Sequence, residues 1–118
     1  MKRYLLALCF LLLAGISLSA QNDYYQKKAE GYTREAEYYQ KKADGYRREA
    51  EYYLKKAAGY SDDAAYYLRK GDTDSAKLRQ RWAEDARDKA NLQLRYAREA
   101  DEKAAMYLRW AADALKRR

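Results

Sequence analysis

From Tyr24 onward, tyrosine and alanine alternate along the chain at steps of four and three residues. Tyr25, Tyr32, Tyr39, Tyr46, Tyr53, Tyr60 and Tyr67 fall at every seventh position, and Ala29, Ala36, Ala43, Ala50, Ala57 and Ala64 follow the first six by four. This spacing puts both residue types on one stripe of an α-helix, with tyrosine at heptad position d and alanine at a. The full period is fourteen residues: YYQKKAEGYTREAE (24–37), YYQKKADGYRREAE (38–51) and YYLKKAAGYSDDAA (52–65), then YYLRKGDTDSAKLR (66–79), where the pattern decays. The chain contains no proline to interrupt a helix.

The polar positions keep the same register. Glu30, Glu37, Asp44 and Glu51 each stand four residues before Arg34, Lys41, Arg48 and Lys55. Such acid-before-base pairs add roughly 0.2–0.5 kcal/mol each to an isolated helix. Position c alternates between a large side chain and none: Tyr24, Gly31, Tyr38, Gly45, Tyr52, Gly59, Tyr66. A glycine inside a helix costs about 1 kcal/mol relative to alanine. One reading is that the three glycines are notches for side chains of a neighbouring helix; the other is that duplication copied one neutral glycine. Tyrosines at both c and d make a face wider than one partner helix covers, and an exposed apolar band marks an interaction surface.

Gly71, Asp72 and Thr73 break the stripe and predict a turn, with glycine closing one helix and Asp72 or Thr73 capping the next. A calcium loop does not fit, because Ala76 and Ala83 occupy positions where ligands are required. Beyond the turn the fourteen-residue period returns as WAEDARDKANLQLR (82–95), YAREADEKAAMYLR (96–109) and WAADALKRR (110–118). Trp82, Tyr96 and Trp110 are its large residues, and Ala86, Ala100 and Ala114 belong to its alanine stripe. Helices over about 23–70 and 75–118 would be roughly 70 Å and 65 Å long. Matched lengths across a short turn predict an all-α antiparallel two-helix hairpin of coiled-coil type. Its seam is expected to hold Tyr25, Ala29, Tyr32, Ala36, Tyr39, Ala43, Tyr46 and Ala50 against Trp82, Ala86, Tyr96, Ala100, Trp110 and Ala114. A single continuous helix would leave the Gly-Asp-Thr-Asp cluster unexplained.

Tyr67, Gly71, Ala76 and Ala83 stand at the spacing of the corner of a tetratricopeptide repeat, which KGDTDSAKLR resembles over about 20 residues. That family's next aromatic falls on Gln80, and no 34-residue period is present. The resemblance implies a shared way of turning a helical corner and no peptide-binding solenoid.

The N-terminus predicts export. Lys2 and Arg3, the apolar run from Leu5 to Ile16, and Ser17-Leu18-Ser19-Ala20 have the layout of a secretory signal peptide cleaved near Ala20. The alternative is a membrane anchor over residues 4–20. The expected organisation is therefore a signal peptide (1–20), a Tyr/Ala heptad helix (21–71), and a turn with an Ala/Trp/Leu helix (72–118). Cys9 lies inside the apolar run behind Leu8, which is not small, so lipidation is not expected. No other cysteine exists to form a disulfide.

The net charge of +7 falls to +5 once Lys2 and Arg3 are removed. Because the excess is dispersed among acidic neighbours, nucleic acid is not an expected partner, while anionic lipid or cell-envelope glycan is compatible with it. The chain has no histidine, no phosphate-binding loop and no nucleophile elbow. No enzyme, cofactor or metal site is expected.

The expected function is an exported structural or adhesive protein, a homo-oligomer that self-associates through its Tyr/Ala/Gly face, with tyrosines of one hairpin entering glycine notches of the next. In plan it resembles the fusobacterial hairpin adhesins, which have a signal peptide and about 100 residues of helical hairpin. Those assemble through leucine chains, where this chain has tyrosine and alanine. The competing expectations are a periplasmic holdase-like chaperone and a surface binder of anionic lipid or glycan.

Overall fold

The computed structural model describes the backbone of residues 2–117 and the side chains of residues 21–117. It is all-helical, with α1 over Lys2–Arg69 and α2 over Thr73–Lys116. The expected boundary near residue 23 is absent, since α1 continues through it, and α2 starts two residues earlier than expected because Asp72 caps it. The signal-peptide and anchor readings, and Cys9, fall on side chains outside the described residues. Among the described residues, no helix is long and apolar enough to cross a membrane.

The chain forms two compact units that share both helices. One comprises Met1–Tyr38 with Ala104–Arg118, and the other is the continuous stretch Tyr39–Lys103. In the second, the corner unit, the helices reverse through residues 70–72. Gly71 has φ +80°, a left-handed conformation that glycine adopts without a Cβ penalty. Its N–H donates to the Leu68 carbonyl (3.1 Å) and the Asp72 N–H to the Tyr67 carbonyl (2.9 Å), the paired bonds of a Schellman ending. Asp72 then opens α2. Its carboxylate accepts the Ser75 N–H at 3.1 Å and the Ser75 hydroxyl at 2.7 Å, so one residue both follows the close of α1 and caps α2.

Alanine makes the core. Ala29, Ala36, Ala43, Ala50, Ala57 and Ala64 are buried along α1, and Ala76, Ala83, Ala90, Ala97, Ala104 and Ala111 along α2. A second α2 row, Ala86, Ala100 and Ala114, is also buried. In the corner unit Ala43 packs with Ala97 and Ala100 under Tyr46; in the other, Ala29 packs with Ala111 and Ala114 under Tyr32. With methyl groups on both sides, the packing surfaces lie close to the helix backbones. Larger side chains are therefore displaced to the rim.

Candidate functional site

The rim is ordered by the same period. In the corner unit each d-position tyrosine of α1 meets a side chain from α2, alternately a ring and a cation. Tyr60 meets Trp82 edge to face, with ring centroids 5.6 Å apart. One heptad further from the corner on each helix, Lys89 sits 5.7 Å over the Tyr53 ring. The next step pairs Tyr46 with Tyr96 at 5.5 Å, and the next puts Lys103 5.4 Å over Tyr39. Ring edges and ammonium groups are both attracted to the negative face of an aromatic ring. In the other unit Tyr32 meets Trp110 at 5.6 Å and Tyr107 at 6.2 Å.

Between a ring pair and its neighbouring cation the rim opens into a socket. In the corner unit, one socket of about 270 Å³ is lined by Tyr53, Lys56, Tyr60, Trp82, Asp85, Ala86 and Lys89. A narrower one of about 90 Å³ repeats the arrangement fourteen residues away with Tyr39, Lys42, Tyr46, Tyr96, Glu99, Ala100 and Lys103. The other unit has its own, about 270 Å³, lined by Tyr25, Lys28, Tyr32, Trp110, Asp113, Ala114 and Arg117. The two wide sockets share the Trp/Asp combination; the narrow one has Tyr/Glu. Among the described residues, Asp85, Glu99 and Asp113 have no ion-pair partner within 4.0 Å.

The c-position face of α1 adjoins the rim, since Lys28 and Lys56, which lie over Tyr24 and Tyr52, also line sockets. Tyr24, Tyr38, Tyr52 and Tyr66 are each about half exposed, from 49% to 59%. Tyr24, Tyr52 and Tyr66 each contact a tyrosine and a lysine nearby in sequence. The c ring and the adjacent d tyrosine meet at a steep angle in Tyr24–Tyr25, Tyr52–Tyr53 and Tyr66–Tyr67, with centroids 5.2, 5.3 and 5.5 Å apart. A lysine four residues on lies over the c ring: Lys28 over Tyr24, Lys56 over Tyr52 and Lys70 over Tyr66, at 5.8, 4.8 and 5.3 Å. Hydrogen bonding with the Tyr52 hydroxyl raises the Lys56 ammonium above its ordinary value. A Cβ added at Gly31, Gly45 or Gly59 would meet nothing within 4 Å. Among the described residues, therefore, no neighbouring atom requires glycine at these positions.

Of the residues expected in the seam, the alanines are buried and Tyr25, Tyr32, Tyr39 and Tyr46 are half-buried. Trp82, Tyr96 and Trp110 stand on the rim, 36%, 37% and 43% exposed, because the alanine rows fill the space between the helices. Gly71 and Asp72 form the turn, and Thr73 is the first residue of α2.

The expected acid-before-base pairs do not form. Asp44 pairs with Arg47 (2.7 Å), which also reaches Asp101 on α2 at 2.8 Å. The two carboxylates, Asp44 first, raise the Arg47 guanidinium further. Exposed pairs are weak, and a cation bridging two acids displaces the simple spacing rule. Lys56, Asp85 and Lys89 were not singled out by the sequence reading. The aromatic-x-x-acid-Ala-x-x-base spacing at Trp82, Tyr96 and Trp110 was the available signal.

Among the described residues, no group of three or more acidic, histidine or cysteine side chains is placed to hold a metal ion. Compared with known protein families, curated proteins and solved structures, the chain matches none of them.

Proposed function

We propose that the protein is an exported structural or adhesive coiled-coil hairpin that self-associates through the Tyr/Gly face of its first helix. The observation carrying this reading is the alternation of half-exposed tyrosines with glycines that face open space. A chain that only needed a stable helix would gain about 1 kcal/mol by placing alanine at each glycine. The row of half-exposed aromatic rings also leaves apolar area uncovered in a single copy. Both features suit a surface that is covered by another copy, since aromatic rings contribute large buried area at interfaces.

Export rests on the basic, apolar and small-residue order of residues 1–20. N-terminal sequencing of the chain recovered outside the cytoplasm is expected to begin at Gln21.

Sedimentation of the purified chain across a concentration series tests self-association. Oligomers are expected in the micromolar range. Replacing Gly31, Gly45 and Gly59 by glutamine is expected to shift assembly to at least tenfold higher concentration while helix content is kept. A monodisperse monomer at high micromolar concentration, unchanged by these replacements, would overturn the reading.

A further inference from the structure

We infer that the rim sockets bind an acidic glycan, a polymer of sugar rings that carry carboxylates. This goes beyond the self-association reading and does not depend on it.

Charge is the first argument. Each socket sets two cations around one carboxylate: Lys56 and Lys89 with Asp85, and Lys42 and Lys103 with Glu99, in the corner unit. The other unit repeats the set with Lys28 and Arg117 around Asp113. Each socket is therefore left with an excess positive charge, which an anionic ligand neutralises. Arg79, 4.4 Å over the Trp82 ring, adds a further cation beside the wide socket of the corner unit.

The carboxylate is the second argument, and it narrows the chemistry. Asp85, Glu99 and Asp113 have no ion-pair partner within 4.0 Å among the described residues. An ionised carboxylate only accepts hydrogen bonds. A phosphodiester or a sulfate brings negative charge and no hydrogen to donate, so the carboxylate repels it. A sugar ring brings hydroxyls, which donate. A ligand with both hydroxyls and an anionic group satisfies the carboxylate and the cations together.

Aromatic surface is the third argument. Trp82, Tyr96 and Trp110, one in each socket, stay 36%, 37% and 43% exposed although each already meets a tyrosine of α1. The C–H groups on one face of a sugar ring, polarised by neighbouring oxygens, are drawn to the negative face of an aromatic ring. At about 270 Å³ the two wide sockets fall just below the size at which pockets for whole small ligands begin, roughly 300 Å³. That suits a single unit of a chain that continues past the site. Because the corner unit carries two sockets, one polymer can engage both, and its avidity then exceeds the affinity of either.

Tryptophan fluorescence tests this, since the two tryptophans of the chain, Trp82 and Trp110, each line a wide socket. The purified chain is titrated at nanomolar concentration, below the range in which self-association is expected. A salt concentration of about 0.15 M screens long-range attraction between exposed charges. Polygalacturonate is the probe, with neutral dextran and dextran sulfate as controls. Polygalacturonate is expected to change the emission saturably, and dextran to leave it unchanged.

Two variants separate a built site from general attraction to polyanions. Lys89→Gln with Lys103→Gln is expected to weaken polygalacturonate binding about tenfold. Asp85→Ala with Glu99→Ala and Asp113→Ala makes the chain more basic, yet is expected to weaken polygalacturonate binding at least threefold while strengthening that of dextran sulfate. All five positions are exposed, and circular dichroism checks that each variant stays helical. Both variants leave intact Lys56 and Tyr53, which the tyrosine face shares, so sedimentation reads self-association separately. A helical wild type that does not bind polygalacturonate would overturn the inference. So would an alanine variant that binds it as well as the wild type or more tightly, as charge alone dictates. Either result leaves the self-association reading as it stands.

Discussion

Lys89 of α2 lies over the ring of Tyr53 of α1, one heptad from the point where Trp82 meets Tyr60 edge to face. The alternation gives the rim its sockets, since a lysine stem leaves room where a second indole would fill it. Lys89→Gln is expected to cost about 0.5–1 kcal/mol, the usual worth of an exposed cation–ring contact. A double-mutant cycle with Tyr53→Leu in urea checks it: the coupling should vanish when the ring is already gone.

Ala43 and Ala97 pack together in the corner unit's core. Ala97→Leu adds a branched side chain where only methyl groups fit, and is expected to destabilise by about 1–3 kcal/mol through overpacking. Thermal unfolding measures this. A leucine accepted without loss would mean the helices separate easily along the alanine rows.

Gly31, Gly45 and Gly59 have open space where a Cβ would stand. Each change to alanine should therefore raise stability by about 1 kcal/mol in a dilute sample. Chemical denaturation of the single and triple variants reads this directly.

Gly71 is the opposite case. At φ +80° any Cβ is strained, so Gly71→Ala should cost about 1–2 kcal/mol, measured by the same denaturation series.

The Ser75 hydroxyl, and then its backbone N–H, hold the Asp72 carboxyl below its ordinary value. A depressed folded value means that the charged carboxylate's contribution is complete above the unfolded aspartate value of about 3.9. It is lost as pH falls through the lower folded value. Acid titration of the unfolding midpoint should show this component for the wild type. Asp72→Asn, which still caps the helix, should lack it while staying close to wild type at neutral pH.

Much of the helix content was legible because it depends on local periodicity. The Tyr25-to-Tyr67 and Ala29-to-Ala64 rows follow from spacing alone, and the turn from Gly71 and Asp72. The sockets were not legible, for a physical reason. They depend on which residue of α2 stands opposite which residue of α1. A sequence that repeats every fourteen residues permits several such pairings, and Trp82 could face Tyr46 with the same local pattern as Tyr60. The corner decides, because the Schellman ending and the Asp72 cap fix where α1 ends and α2 begins, and so which residues stand opposite one another. The charge pairs were missed for a related reason. Arg47 reaches Asp101 across the helices, and helix spacing rules cannot see a partner on another helix.

The corner also constrains how such a chain can lengthen. In the corner unit, each step of seven residues outward along α1 is matched by seven along α2, so Tyr60–Trp82 is followed by Tyr53–Lys89 and Tyr46–Tyr96. Inserting one fourteen-residue unit into a single arm would leave every contact beyond it facing the wrong partner by one unit. Growth that preserves the rungs must therefore be bilateral: a duplication in one arm is tolerated only with a counterpart at the same distance from Gly71 in the other. The corner is in this sense the origin from which both arms are counted.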